Sequence, residues 1–192
     1  MSNALDTKLS PQMMARIAGG LYLLVIAGGL FAEVAVRQKL IIAGDPTMTA
    51  QNVIAHESLF RLGFAVNLTY LVCNIPFAIL FYELFKNASR VVAQTMLLAV
   101  GVTTAIEGAN LFSQLSALDY IISMPSVDLS KGLQSELAYS ALRGFSDGFG
   151  VSLVFFGFVC LLYGYLILKS RLVPRAIGWM ITLAGVCYLI NS

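Results

Sequence analysis

The sequence is poor in charge and poorer still in the residues that name a chemistry. It holds one histidine, His56, and three cysteines with no CxxC among them. A lone imidazole has no second histidine with which to share a metal, so no metal site is expected. Cys73, Cys160 and Cys187 all fall inside apolar runs, where a thiol reads as a small buried hydrophobe and not as part of a disulfide frame. Walker A, GxSxG, HExxH and CAAX patterns are missing, and no cofactor is implied. There are 12 Lys and Arg against 10 Asp and Glu, with no basic patch beyond what membrane topology demands. Nucleic acid is therefore not an expected partner. No second domain, low-complexity linker or internal repeat divides residues 1–192, which read as a single integral-membrane helical domain.

What the chain does have is apolar length. Its hydrophobic fraction is 58%, its charged fraction 11% and its mean hydropathy +0.83. Soluble domains run near 45–50% apolar and about 25% charged. A compact soluble fold of this size cannot bury so much apolar surface. The bilayer is the expected solvent. Crossing about 30 Å of hydrocarbon takes roughly 20 residues of helix. Five runs serve, at about 15–36, 58–85, 91–121, 136–168 and 175–190. Strands of a membrane barrel would alternate apolar and polar residues, and these runs do not. The expected fold is all-α, a polytopic membrane helix bundle with five spans. The first run has a long apolar core, and "FAEVAVR" lacks an A-x-A cleavage pattern, so a retained span is expected there.

Alternating the ends of the runs sorts the bases. One side collects Lys8, Arg16, Lys86, Arg90, Lys169, Arg171 and Arg175; the other collects Arg37, Lys39, Arg61 and Lys131, with Arg143 just inside the fourth run. The more basic side should be cytoplasmic, which puts the N-terminus inside and the connections 37–57 and 122–135 outside. Helical rise then gives depth. Arg16 to Glu33 is about 25 Å, as is Arg90 to Glu107, while Lys169 back to Asp147 is about 33 Å and back to Arg143 about 39 Å. Asn67 lies about 9 Å beneath Arg61. These residues converge on one polar layer in the outer part of the membrane.

Spacing gives direction. Thr103, Glu107, Asn110 and Gln114 recur at i, i+4, i+7 and i+11, one face of a helix. Glu136, Tyr139, Arg143 and Asp147 recur at i, i+3, i+7 and i+11, again one face. A carboxylate in hydrocarbon costs several kcal/mol unless it is partnered. Both faces are therefore expected to point inward, with Glu107 within reach of Arg143 first and Arg61 second. Glu33, Glu57, Arg61, Glu107, Arg143 and Asp147 then form a cluster of four acids and two bases. With His56, Asn67, Asn110 and Gln114 they make the candidate ligand-binding layer. The bland reading stands beside it. Charges at span ends ordinarily reach for the headgroups, which suits Glu33, Arg37, Glu57 and Arg61. It suits Glu107 less, because the apolar helix continues beyond it through "LFSQLSALDYII". An interior ion pair can also serve only to fix helix register.

Smaller signals fill in the frame. Gly101, Ala105 and Ala109 form a small-residue stripe, and Gly144 and Gly148 a GxxxG, both expected to mark close helix contacts. Pro11 and Pro174 suit helix starts, and Pro76 should bend the second span beside Asn74. The loop 37–57 is too long for a simple turn. Within it "DPT" marks a helix start with Asp45 as cap, giving a short amphipathic helix over about 47–56 that lids the polar layer.

With "ARIAGGLYLLVIAGGLFAE" (15–33), "HESLFRLGFAVNL" (56–68) and "GYLILKSRLVPRAIGWMITLAGVCYLINS" (164–192) in view, the chain resembles, over nearly its whole length, a bacterial membrane family known as domain of unknown function 4386. The resemblance implies a multi-span helical protein of the bacterial plasma membrane and supplies no catalytic residue. Members are usually longer, so it also implies a sixth span beyond "YLINS" in the family form. Three functions fit these readings. The first is binding or passage of a small-molecule or lipid ligand at the polar layer. The second is an accessory subunit or assembly factor with a membrane-protein partner, suited by the small-residue stripes. The third is an intramembrane enzyme acting on a lipid or quinone, with Glu107 or Asp147 as acid or base and Arg143 on an anionic head.

Overall fold

The structure, a computed structural model, describes residues 10–123, 131–170 and 172–191. Lys8, Arg171 and most of the connection expected over 122–135 lie outside those residues, as does the side chain of Lys131. Among the described residues the elements are helical and none is a strand.

Helix α1 (Pro11–Leu30) opens on Ser10, whose Oγ accepts a hydrogen bond from the Met13 amide at 3.2 Å. Pro11 follows in the first turn, where its missing N–H has no helical partner to lose. The helix does not stop at Leu30. It runs on as a π-helical segment, Phe31–Arg37, and then a short α2, Gln38–Leu40. A wide turn of this kind shifts the facing of every residue after it, and such turns recur at functional sites.

The chain next reverses at Gly44, whose φ of 80° favours a residue without a Cβ. Asp45 then caps α3 (Pro46–Ala55), its Oδ1 accepting from the Met48 amide at 2.8 Å. This is the short helix expected from "DPT". Helix α4 (Glu57–Phe85) follows at once and continues unbroken through Pro76. Helix α5 (Arg90–Leu118) passes into a second π-helical segment, Asp119–Ser123. Helix α6 (Lys131–Ser170) and helix α7 (Arg175–Asn191) complete the chain.

Four of these helical stretches are long and apolar enough to cross a membrane: Pro11–Leu40, Glu57–Phe85, Arg90–Ile122 and Gly132–Ser170. The fifth, α7, has 17 residues, at the short end of the roughly 17–25 that span hydrocarbon. The result is an all-α bundle, as the composition requires.

Consecutive long helices pack side by side: α1 on α4, α4 on α5, α5 on α6 and α6 on α7. Two buried clusters hold them. One gathers Phe77, Phe81, Met96, Tyr163 and Leu166, with the Phe81 and Tyr163 rings edge to face at 4.4 Å. The other gathers Val36, Leu40, Val53, Phe60, Leu118 and Leu142 beneath α3. Thr49 and Val53 of α3 are buried, and Thr49 Oγ1 accepts from the Ile42 amide at 3.0 Å. The Tyr139 hydroxyl of α6 accepts from the Gly44 amide at 2.6 Å. Helix α3 is thereby fastened across one end of the bundle, called here the α3 end.

The small-residue contacts fall only in part where expected. Gly101, Ala105 and Ala109 are exposed, and a Cβ at Gly101 would meet nothing within 4 Å. In the GxxxG, a Cβ at Gly144 would meet nothing within 4 Å, whereas one at Gly148 would run into the Asn110 side chain of α5, so half of that motif marks a close contact. A backbone-to-backbone approach joins α6 and α7: a Cβ at Gly185 would lie 2.8 Å from the Gly157 carbonyl oxygen, and one at Gly164 would lie 2.9 Å from that of Gly178.

Candidate functional site

The polar face of α5 points inward, as its spacing dictates, and each member meets a neighbouring helix or its own backbone. Nearest the α3 end, Gln114 is buried, and its Oε1 accepts from Asn67 Nδ2 of α4 at 3.3 Å. One turn deeper Asn110 donates through Nδ2 to the Phe145 carbonyl of α6 at 2.6 Å. Deeper again, Glu107 bridges two helices. Its Oε2 accepts from the Tyr70 hydroxyl of α4 at 3.3 Å, and its Oε1 from Ser152 Oγ of α6 at 3.1 Å. Thr103 is buried and returns its hydroxyl to the Ala99 carbonyl at 2.9 Å. Beside it Thr104 accepts from Asn74 Nδ2 at 3.2 Å. This ladder satisfies interior polar groups that hydrocarbon cannot.

The ion pair expected for Glu107 is not formed. The three ion pairs among the described residues are Glu33–Arg37, Glu57–Arg61 and Glu83–Lys86. On α6 the residues turned toward the bundle are Leu142, Phe145, Phe149 and Ser152, and this sets the rotation of the helix. Glu136, Arg143 and Asp147 lie on the other side and are exposed. The charged face was outcompeted by a larger apolar one, and a serine hydroxyl reaches Glu107 where an arginine was expected. Arg61 is exposed near the start of α4 and binds Glu57, Nε to Oε1 at 2.6 Å. His56, between α3 and α4, is exposed as well.

A cavity of about 60 Å³ lies at the α3 end, between the α1–α4 pair and the α5–α6 pair. A water molecule needs roughly 10–15 Å³ on this scale, so the space takes several water-sized groups. Gly29, Ala32 and Val36 form one apolar wall, and Leu142, Phe145 and Phe149 the opposite one. Leu40 and Ile41 form the roof. Polar groups converge from three helical stretches: Glu33 and Arg37 from the first π-helical segment, Asn67 and Tyr70 from α4, and Gln114 from α5. Tyr70 thus touches the cavity and hydrogen-bonds Glu107 behind it.

The π-helical segment sets this wall. It brings Glu33, Val36 and Arg37 to the cavity and packs so close to α4 that a Cβ on Gly63 would stand 2.8 Å from Val36 Cγ1. Arg37 Nη1 lies 3.3 Å from Glu33 Oε2. Its guanidinium also stands 5.9 Å from the Phe145 ring centre and 5.7 Å from that of Phe149, within cation–π range. Gln38 Nε2 donates to the other Glu33 oxygen at 3.4 Å.

The expected polar layer is therefore divided. Glu33, Asn67 and Gln114 line the cavity, Glu107 lies one hydrogen bond behind it, and Asn110 ties α5 to α6. Glu57, Arg61, His56, Arg143 and Asp147 stand apart from it. Sequence reasoning did not select Arg37, Tyr70 or Ser152 for the site. Arg37 sits four residues after Glu33 at a span end, a position that suits a headgroup anchor. Tyr70 lies three residues after Asn67 on the same face, a spacing that was there to be used. No group of three His, Cys, Asp or Glu side chains gathers among the described residues.

No curated protein and no solved structure matches the chain. The family model for the domain of unknown function DUF4386 matches residues 17–192, and the chain belongs to that family.

Proposed function

We propose that this integral membrane protein binds a small molecule in the cavity at the α3 end, which lies toward the outer face of a bacterial plasma membrane. The orientation follows from the bases: Arg16, Lys86, Arg90, Lys169 and Arg175 all stand at the opposite end, which the positive-inside rule makes cytoplasmic. One observation carries the reading. A guanidinium, a carboxylate and two amides converge on an apolar-walled hollow, the usual form of a small-molecule site. Gly29 provides the test, because a side chain there would enter the hollow and its Cβ would meet nothing within 4 Å. The purified protein should gain thermal stability with at least one fraction of a membrane extract, and Gly29→Leu should lose that gain while keeping its own fold. Equal gains in both proteins, or none in either, count against the site.

A second reading is favoured by a different observation. The exposed stripe Gly101, Ala105 and Ala109 is a smooth helix face of the kind that neighbouring membrane helices dock against. It supports a role as an accessory subunit of a membrane complex. Purification in a mild detergent separates the readings: a stoichiometric companion chain supports the second, and a particle of this chain alone opposes it.

A further inference from the structure

We infer that the cavity takes the head of a lipid-like amphiphile bearing an oxyanion, a carboxylate or a phosphate, which Arg37 binds after the molecule enters sideways between α1 and α6. The inference rests on the ligand-binding reading above and specifies what is bound.

The route comes from the packing. The α3 end is closed to water by a buried apolar layer in which Leu40 and Val53 are wholly inaccessible. Thr49 and Tyr139 fasten that roof through the hydrogen bonds to Ile42 and Gly44. The side is different. Helix α1 packs along α4, and α6 along α5 and α7, but α1 and α6 make no comparable contact with each other. Deeper in the bundle Ala18 and Tyr22 of α1 join the cluster that holds Tyr163 and Leu166 of α6, but at the cavity what crosses the gap is the Arg37 guanidinium, lying against Phe145 and Phe149. In a membrane such a gap faces acyl chains. A ligand that arrives by this route carries a chain of its own.

The head comes from the donors. Among the described residues, Arg37 is the only base that lines the cavity. A guanidinium has five N–H donors in a fixed plane, suited to two oxygens of one carboxylate or phosphate. The ring faces of Phe145 and Phe149 hold that plane from α6. Its present partner, Glu33, is the more solvent-accessible of the two, 38% against 26% for the arginine side chain. Glu33 can turn outward toward Gln38, which already donates to it, and leave Arg37 to the ligand. A cation would have to displace arginine instead, against the two rings. An anionic amphiphile in the outer leaflet also has its head at this level, with its chain directed toward the membrane centre.

The test uses the full chain in a non-ionic maltoside micelle, with thermal stability as the readout. The probes are oleate, oleoyl lysophosphatidate, oleyl alcohol and inorganic phosphate. Oleate and oleoyl lysophosphatidate should stabilise the wild type at concentrations about tenfold or more below those needed for oleyl alcohol, as expected for a charge-assisted hydrogen bond. Inorganic phosphate should do nothing. Arg37→Gln should bring the charged and uncharged probes together, and Glu33→Gln, which removes the competing carboxylate, should sharpen the difference. Glu33→Gln keeps the question open to an answer if Arg37→Gln does not fold. Gly29→Leu should abolish the response to every chain-bearing probe.

Equal potency of oleate and oleyl alcohol, with Gly29→Leu abolishing both, overturns the oxyanion while leaving a site for chains. A difference that neither the Arg37 nor the Glu33 variant alters also overturns it. Stabilisation by inorganic phosphate alone overturns the sideways route. No response to any probe overturns this ligand class, and the membrane-extract experiment then decides whether another ligand is bound.

Discussion

Glu107 and Ser152 face each other across the α5–α6 interface, the serine hydroxyl donating to the carboxyl at 3.1 Å, and the Tyr70 hydroxyl approaches from α4 on the other side. One side chain thus joins three helices, and among the described residues no cation pairs with it. Glutamine has the same shape and still offers an acceptor oxygen to one hydroxyl. Glu107→Gln should therefore lose less than about 1 kcal/mol, whereas Glu107→Ala should lose about 1–3 kcal/mol by taking the acceptor from the Tyr70 hydroxyl and leaving Ser152 with the Phe149 carbonyl alone. Equilibrium unfolding in mixed micelles measures both. Equal losses in the two variants would mean that charge matters here and that a cation pairs with Glu107 after all.

The Asn67–Gln114 pair should behave as a coupled unit. Both amides are buried and they bond at 3.3 Å. Removing either leaves the other with fewer partners inside the bundle, so the second removal should cost less than the first. A double-mutant cycle with Asn67→Ala and Gln114→Ala should return a coupling of about 0.6 kcal/mol and no more than about 1.7 kcal/mol. Strict additivity would mean that the two amides are satisfied separately, by solvent in the cavity.

Arg143 and Asp147 make the converse prediction. Both are exposed on the side of α6 turned away from Glu107. Surface charges without a tight partner contribute little. Arg143→Ala and Asp147→Ala should each shift stability by less than about 0.5 kcal/mol. A loss above about 2 kcal/mol for Arg143→Ala, measured beside Glu107→Ala, would place the arginine in the interior.

These results mark what was legible in the sequence and what was not. The spans were legible because bilayer thickness sets a minimum length that "LTYLVCNIPFAILFYELF" or "VSLVFFGFVCLLYGYLIL" meets almost without interruption. The cap at Asp45 and the inward face of α5 were legible because each depends only on local spacing. The rotation of α6 was not. Its polar face, Glu136–Tyr139–Arg143–Asp147, and its apolar face, Leu142–Phe145–Phe149, are both regular helical stripes. Which one turns inward depends on the volume that α4 and α5 leave to be filled. The place of Arg37 was hidden by the π-helical segment, since a depth count at 1.5 Å per residue assumes an unbroken α-helix. The small-residue stripes were legible only in part: Gly148 meets Asn110 while Gly144 and Gly101 meet nothing, since a glycine shows where a neighbour is able to come close, not whether one does.

Four glycines on α6 and α7 do meet a neighbour. Gly157 and Gly164 lie seven residues apart on α6, and Gly178 and Gly185 seven apart on α7. They oppose each other in crossed order, as antiparallel helices require: Gly157 against Gly185, and Gly164 against Gly178. A Cβ at Gly185 would lie 2.8 Å from the Gly157 carbonyl oxygen and 2.9 Å from Cys160 Cβ, distances that real Cβ atoms do not tolerate. The first contact is with backbone, so no rotamer change relieves it, and α7 must move away from α6. Cys160 reports the movement. It is buried under α7, 5% exposed, while Cys187 is exposed. In detergent, a small permeant maleimide should label Cys187 readily and Cys160 slowly in the wild type. Gly185→Leu should raise Cys160 labelling several-fold without changing the rate at Cys73, which lies on α4 away from α7. The exposed Gly101 is the control: Gly101→Leu should leave Cys160 protected, because a Cβ there meets nothing within 4 Å. Unchanged Cys160 labelling in Gly185→Leu would mean that α7 is not held against α6 by this seam.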